Sequence, residues 1–211
     1  MPHHTSKTVI YAALAGNAAI ALTKFFAATI TGSSAMLSES IHSIVDCGNQ
    51  FLLHYGLKRA ALPPTPEHPF GHGLQLYFYT FVVAVMVFGV GAVISILQGI
   101  EKIAHPRTID NVWVNYVVLG LSFLFEGGVW LVALKAFNKN RGRLGIIKAI
   151  QRSKDPTIFT VLFEDSAALM GLIMALVGIY LSQALNMPVL DGVASVLIGV
   201  ILTLTAASLA Y

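Results

Sequence analysis

The chain has 211 residues, 56% of them apolar and only 11% charged, with a formal net charge of +3. An ordinary soluble domain carries about 25% charged residues, so the composition excludes a water-solvated globule and makes the lipid bilayer the first partner, with no sign of nucleic acid binding. The lone Cys47 permits no internal disulfide.

Apolar runs recur at 9–31, 36–57, 74–99, 112–136, 158–184 and 189–210. Each exceeds the roughly 20 residues that a spanning helix needs. They predict an all-α, polytopic membrane protein: one transmembrane domain over 1–211, built as a six-helix bundle. The first run is too long for a signal-peptide core, carries Lys24, and leads into five more spans, so it is read as retained.

The first two helices are joined by the short GSSA at 32–35 and should form a tight antiparallel pair. After the second comes KRAALPPTPEHPFGHG, where four prolines (63, 64, 66 and 69) predict a defined elbow. The basic segment at 137–157 is read either as a solvated loop or as a short amphipathic helix at headgroup level. Gly89, Gly91, Ser195 and Gly199 read as packing residues that permit close helix approach.

Ten Lys and Arg residues (7, 58, 59, 135, 139, 141, 143, 148, 152 and 154) precede the first helix, follow the second or lie around the loop after the fourth. Only Lys102 and Arg107 lie in the opposite loops. This asymmetry predicts that both termini are cytoplasmic. The expected location is a bacterial cytoplasmic (inner) membrane, as a multi-pass protein.

Five acids, Glu39, Asp46, Glu126, Glu164 and Asp165, fall inside expected spans. An acid at a helix centre costs about 2.5–3.5 kcal/mol even on a lenient scale. On the second helix Glu39, His42, Asp46, Asn49 and Gln50 step by three or four and so share one face, which His54 extends. His42 and Asp46, one turn apart, can close on one metal ion. Asp165 on the fifth helix is the preferred further ligand, with Glu164 as fourth ligand or as its support.

One nitrogen with two or three carboxylate oxygens suits Zn²⁺, at bonds of about 2.0–2.2 Å. Mn²⁺, Fe²⁺ and Co²⁺ stay open. Such ligands bind metal only when deprotonated, and His42 is the group most readily titrated near neutrality, so protons should compete with the ion. That is the physical basis of an antiporter, with Zn²⁺ as transported substrate and protons as counter-ion.

The bland alternative for the polar face is interhelical hydrogen bonding, worth only about 0.6 kcal/mol per contact on average. Glu39 is also read as a wall residue acting as a proton relay or snorkelling at the helix end, and Glu126 as a proton acceptor or a helix anchor. Asp191 reads as a helix N-terminal acid or cap, outside the site. Lys24 is read as pairing with a buried acid or snorkelling.

Several motifs together resemble the cation diffusion facilitators, the zinc-transporter family. They are S-x-A-M-L-S-E-x-I-H-S-x-V-D at 33–46, HPFGHG at 68–73, the carboxylate pair early in the fifth helix, and DGVASVLIGV at 191–200. The resemblance implies a homodimeric exporter of Zn²⁺ or a related divalent ion, driven by inward proton movement through alternating access. It also implies two ligands on the second helix, His42 and Asp46, and two on the fifth.

Many members carry His-x-x-x-Asp on the fifth helix. Aligned through Asp165, this chain has Val161 at the His position, and its Glu-Asp pair is similar to the zinc transporter 9 branch. The fourth ligand is then Glu164, Glu39 or Glu126. His68 and His72 in the elbow resemble a secondary zinc site in parts of the family; the structural alternative is that His72 helps fix a tight turn. The cytoplasmic metal-binding domain that usually follows is not among these 211 residues, read either as naturally missing or as cut off by truncation of the sequence, which would leave dimer contacts to the helices and the basic loop.

Glu39-Ser-Ile-His42 is also the Glu-x-x-His unit of di-iron carboxylate proteins, so a membrane-embedded di-iron enzyme is the alternative reading. That chemistry needs the unit twice, and it occurs once; no HExxH is present. A passive channel is disfavoured because charged ligands closing on one ion would hold it too tightly for rapid exit.

Overall fold

The computed structural model describes residues 7–141 and 156–210. They form six helical runs: α1 (Lys7–Thr31), α2 (Ser34–Ala60), a third run of α3 (Leu74–Met86), a π-helical turn (Val87–Ala92) and α4 (Val93–Ala104), then α5 (Val112–Arg141), α6 (Pro156–Ala184) and α7 (Val189–Ala210). Among the described residues no strand occurs, only an isolated bridge between Thr65 and His68. The protein is all-helical. The third run continues to Ala104 instead of ending near 99, and α5 continues to Arg141, so residues 137–141 of the basic segment are helical. Residues 142–155, where the amphipathic helix was one reading, lie outside the described residues.

Among the described residues, four helices are long and apolar enough to cross a membrane: Leu74–Ala104, Val112–Lys135, Leu162–Ala184 and Val189–Ser208. At 27 residues α2 has the length, but its acids, amides and imidazole lower its hydropathy. On α1 the exposed residues Leu22, Phe26 and Ile30 recur every fourth position and form an outward apolar stripe, as a lipid-facing helix requires.

Close backbone approach sets the packing of the third run against α7. A Cβ at Gly99 would lie 2.6 Å from the Gly192 carbonyl, and one at Gly199 would lie 2.9 Å from the Ala92 carbonyl. Only hydrogen at these positions allows the two helices to meet so nearly. Ser195 joins the same seam: its hydroxyl lies 2.6 Å from that of Ser38 on α2 and donates to the Ser95 carbonyl at 2.8 Å. Gly89, expected to serve packing, faces open space within the π-helical turn.

The tight connection between α1 and α2 is fastened from outside. Gly32 takes a left-handed φ of 67°, which a side chain would resist, and lets the chain reverse. Ser33 caps α2 by accepting from the Met36 amide. Asp191, fully buried at the start of α7, accepts from the Ser34 amide at 2.7 Å and the Ser33 hydroxyl at 2.6 Å. Lys102 at the end of α4 donates to the Gly32 carbonyl at 2.6 Å and lies 3.8 Å from Asp191. Two further helices, α4 and α7, thus converge on the turn that joins α1 to α2.

The proline-rich elbow is ordered by reciprocal bonds between Thr65 and His68, with the Gly71 amide donating to the His68 carbonyl at 2.9 Å. His68 and His72 stack with ring centroids 4.4 Å apart. The apolar core, including Met36, Val45, Leu53, Val83, Leu119, Leu172, Ile179 and Ile198, fills the bundle around the polar face of α2.

Candidate metal-transport site

The polar face of α2 points inward. Glu39, His42 and Asn49 are at most 1% exposed, Asp46 and Gln50 are half-buried, and His54 emerges at the end of the stripe. Burying this wall without partners would cost several kcal/mol per ionised group. The structure supplies partners to some of its members and withholds them from others.

Lys24 supplies the largest share. Its ammonium, completely buried on α1, donates to Glu39 at 3.1 Å, Ser43 at 2.9 Å and Glu126 at 2.8 Å. It does not snorkel. Glu39 and Glu126 are therefore held in an ion pair that ties α1, α2 and α5 together. Each retains one oxygen without a hydrogen-bond partner.

One turn along α2, His42 Nε2 lies 3.5 Å from Asp46 Oδ2, the contact that one-turn spacing allows. Neither His42 nitrogen has a hydrogen-bond partner, and neither does Asp46 Oδ1. On α6, Asp165 Oδ2 is likewise unpartnered. Asp46 and Asp165 line the same cavity, with Asn17, Ser43, Gln50 and Glu126 as its other polar residues. The cavity measures about 30 Å³, room for one or two water molecules or a single ion. Asn17 donates to Gln50 at 2.8 Å across its wall.

Glu164 behaves differently from its neighbour. It is 4% exposed and accepts from the Asn49 amide at 2.8 Å, which braces α6 against α2 beside the cavity. Next along α6, Trp130 of α5 donates to the Ser166 hydroxyl at 2.8 Å. Asp165 therefore sits between two fixed hydrogen bonds.

Of the expected ligands, the structure brings Asp46 and Asp165 to one cavity and sets His42 against Asp46. It commits Glu164 to Asn49, and Glu39 and Glu126 to Lys24. Among the described residues no three His, Cys, Asp or Glu side chains stand close enough to hold a metal ion together. The stacked pair His68 and His72 also lacks a third such ligand there. Asn17 on α1 is the polar cavity residue that sequence reasoning does not single out, although an amide on the helix paired with a polar stripe is a signal that could be read.

A small cavity carrying two aspartates, set among helices of which four are apolar and long enough to cross a membrane among the described residues, is a candidate place for a small cation. Residues 10–211 match the cation efflux transmembrane domain. The chain is 33% identical over 205 residues to the human protein named proton-coupled zinc antiporter SLC30A9, mitochondrial, covering 96% of this chain and 36% of that protein. The Xenopus laevis protein of the same name is 34% identical over 190 residues, 89% of this chain and 34% of its own. Metal tolerance protein C4 of Arabidopsis thaliana is 31% identical over 203 residues, 95% of this chain and 44% of its own.

The chain belongs to the cation efflux, or cation diffusion facilitator, family and is SLC30A9-like. It spans about a third of the length of those SLC30A9 relatives. That family is one of transporters, which sets aside the di-iron enzyme suggested by Glu39 and His42.

Proposed function

We propose that this chain is the membrane part of a proton-coupled divalent metal antiporter whose substrate is Zn²⁺, with Mn²⁺, Fe²⁺ or Co²⁺ as further candidates. The observation that carries the reading is the placement of Asp46 and Asp165, from two different helices, on one ion-sized cavity, each with an unpartnered buried oxygen. His42, set against Asp46, has no hydrogen bond at either nitrogen.

A dication entering there would take oxygens from α2 and α6 and a nitrogen from His42, once a side-chain rotation brings the three together. Glu164 is the fourth ligand if it leaves Asn49, and the brace for Asp165 if it does not; Glu39 and Glu126 come into reach only if Lys24 releases them. Since ligands must lose protons to bind, the same groups that accept metal give up hydrogen ions and take them back on release. The cycle is alternating access, in which the cavity faces each side of the membrane in turn.

The proposal extends to six spans, with α1 and α2 crossing alongside the four apolar helices, and to both termini on the cytoplasmic side by the Lys and Arg asymmetry. A homodimer is proposed from the resemblance, its contacts lying on exposed apolar helix faces. The elbow pair His68 and His72 would hold metal only with ligands from water or a second copy. Several relatives are named as mitochondrial, which lends no support to a bacterial cytoplasmic membrane; the two locations share a membrane that can hold a proton gradient.

The test is metal flux in proteoliposomes across a panel of divalent ions, with and without an imposed pH difference. Zn²⁺ flux that speeds up when the gradient favours proton counter-movement supports the reading. Flux indifferent to the gradient removes the antiport.

A further inference from the structure

Lys24 is unusual among the buried charges because it is saturated while its acids are not. The ammonium can donate three hydrogen bonds, and all three are made, to Glu39, Ser43 and Glu126. Glu39 Oε1 and Glu126 Oε2 remain buried and without partners. The two carboxylates are therefore an acidic cradle filled by a cation that cannot leave. Glu126 also lines the cavity shared by Asp46 and Asp165, so the cradle and the proposed transport site have a common wall.

A carboxylate attracts any nearby cation, and inside a bundle that attraction is much stronger than in water. Without Lys24, Glu39 and Glu126 would offer up to four oxygens beside the site. Oxygen-rich sets favour hard ions such as Mn²⁺ and Ca²⁺, whereas imidazole favours Zn²⁺. A dication attracted to them would also be displaced from His42 and Asp46 toward α5. At Gly171 the backbone of α6 lies against Glu39, and a Cβ there would collide with Oε1.

We propose that Lys24 is a specificity-determining residue, a tethered counter-cation that withholds Glu39 and Glu126 from the transported ion, so that selection falls to His42, Asp46 and Asp165. The proposal rests on the reading of the cavity as a metal-transport site. It assigns Lys24 a task beyond bracing α1 against α2 and α5, and a purely structural lysine would not share the consequence for metal choice.

The experiment measures equilibrium binding of Zn²⁺ and Mn²⁺ to the detergent-solubilised chain, and Zn²⁺ flux with Mn²⁺ as competitor in proteoliposomes, for wild type, Lys24→Met, Lys24→Gln and Lys24→Met/Glu39→Gln. Lys24→Met should bind an additional dication, and its preference for Zn²⁺ over Mn²⁺ should fall by about tenfold, the equivalent of about 1.4 kcal/mol. Lys24→Gln, which keeps a donor for a carboxylate, should fall in the same direction and serves if Lys24→Met does not fold. The double variant removes one of the two stranded charges and should regain part of the preference.

Unchanged stoichiometry and unchanged preference in whichever single variant folds overturn the proposal. Wild-type flux reports on the transport reading itself. The binding comparison reports on Lys24 even if no flux is seen, so the two failures are distinguishable.

Discussion

The Asn49 side chain donates to Glu164 at 2.8 Å, and this bond links the helix that carries His42 and Asp46 to the helix that carries Asp165. Both partners are nearly inaccessible to solvent, so neither can exchange the bond for water. Replacing Asn49 by Leu strands the acid, at a cost of about 1–3 kcal/mol. Asn49→Leu should lower thermal stability in detergent and reduce Zn²⁺ flux, whereas Asn49→Gln, which retains the amide, should recover part of both. Equal loss in the two variants would show that packing at this position, and not the bond, is what matters.

Asp191 supplies acceptors to the Ser33 and Ser34 end of α2 and lies near Lys102. Asp191→Ala should destabilise the protein by about 3–5 kcal/mol, because it removes the acceptor of the Ser34 and Ala35 amides and the Ser33 and Ser34 hydroxyls and leaves the Lys102 ammonium without its counter-charge. Asp191→Asn keeps an oxygen acceptor and should lose less. Thermal unfolding followed by circular dichroism in detergent orders the three proteins.

At Gly171 the backbone of α6 lies directly against Glu39. A methyl group there must displace the carboxylate from Lys24 or push the helices apart, costing about 1–3 kcal/mol. Gly171→Ala should therefore lower the melting temperature, and Gly171→Ala/Glu39→Gln should not restore it, since the glutamine is of the same size. Gly171→Ala/Glu39→Ala should recover part of the loss by opening space; no recovery would place the clash elsewhere.

Trp130 offers a spectroscopic handle, because its indole donates to Ser166, the residue after Asp165. The chain has only two tryptophans, Trp113 and Trp130. In a Trp113→Phe background, Zn²⁺ should change the emission of Trp130 in a saturable way, and Asp165→Asn should abolish the change. A response that survives Asp165→Asn would place the ion away from α6.

Protons should compete with the ion for His42 and the two aspartates. Lowering the pH from about 7.5 to about 6 should raise the apparent KM for Zn²⁺ more than it lowers the maximal rate, because ligands must be deprotonated to hold the ion. Flux measured on both sides of this range separates the two effects.

The polar face of α2 was legible from residue spacing alone, because a stripe at every third or fourth position can be read on one helix without knowing its neighbours. Pairing across helices was not. Lys24 and Glu126 are 102 positions apart in the chain, and nothing local to either says which acid the lysine will meet. Asp191 was read as a terminal acid or cap in its own setting, yet it caps α2 from 157 positions away.

The adjacent acids Glu164 and Asp165 show the same limit. They project about 100° apart on a helix, so the sequence separates their directions but does not say which direction holds the cavity. The structure sends Asp165 there and gives Glu164 to Asn49. The π-helical turn at Val87–Ala92 has two glycines but no pattern that distinguishes it from an ordinary helical packing motif.

The most direct measurement is Zn²⁺ binding and Zn²⁺-driven proton release by Asp46→Asn and Asp165→Asn, each compared with wild type in the same proteoliposome preparation. The near-isosteric amides keep the helices packed while removing the charge. A transport site shared by α2 and α6 predicts that either substitution abolishes both the binding and the proton release. Wild-type behaviour in either variant would contradict a shared site.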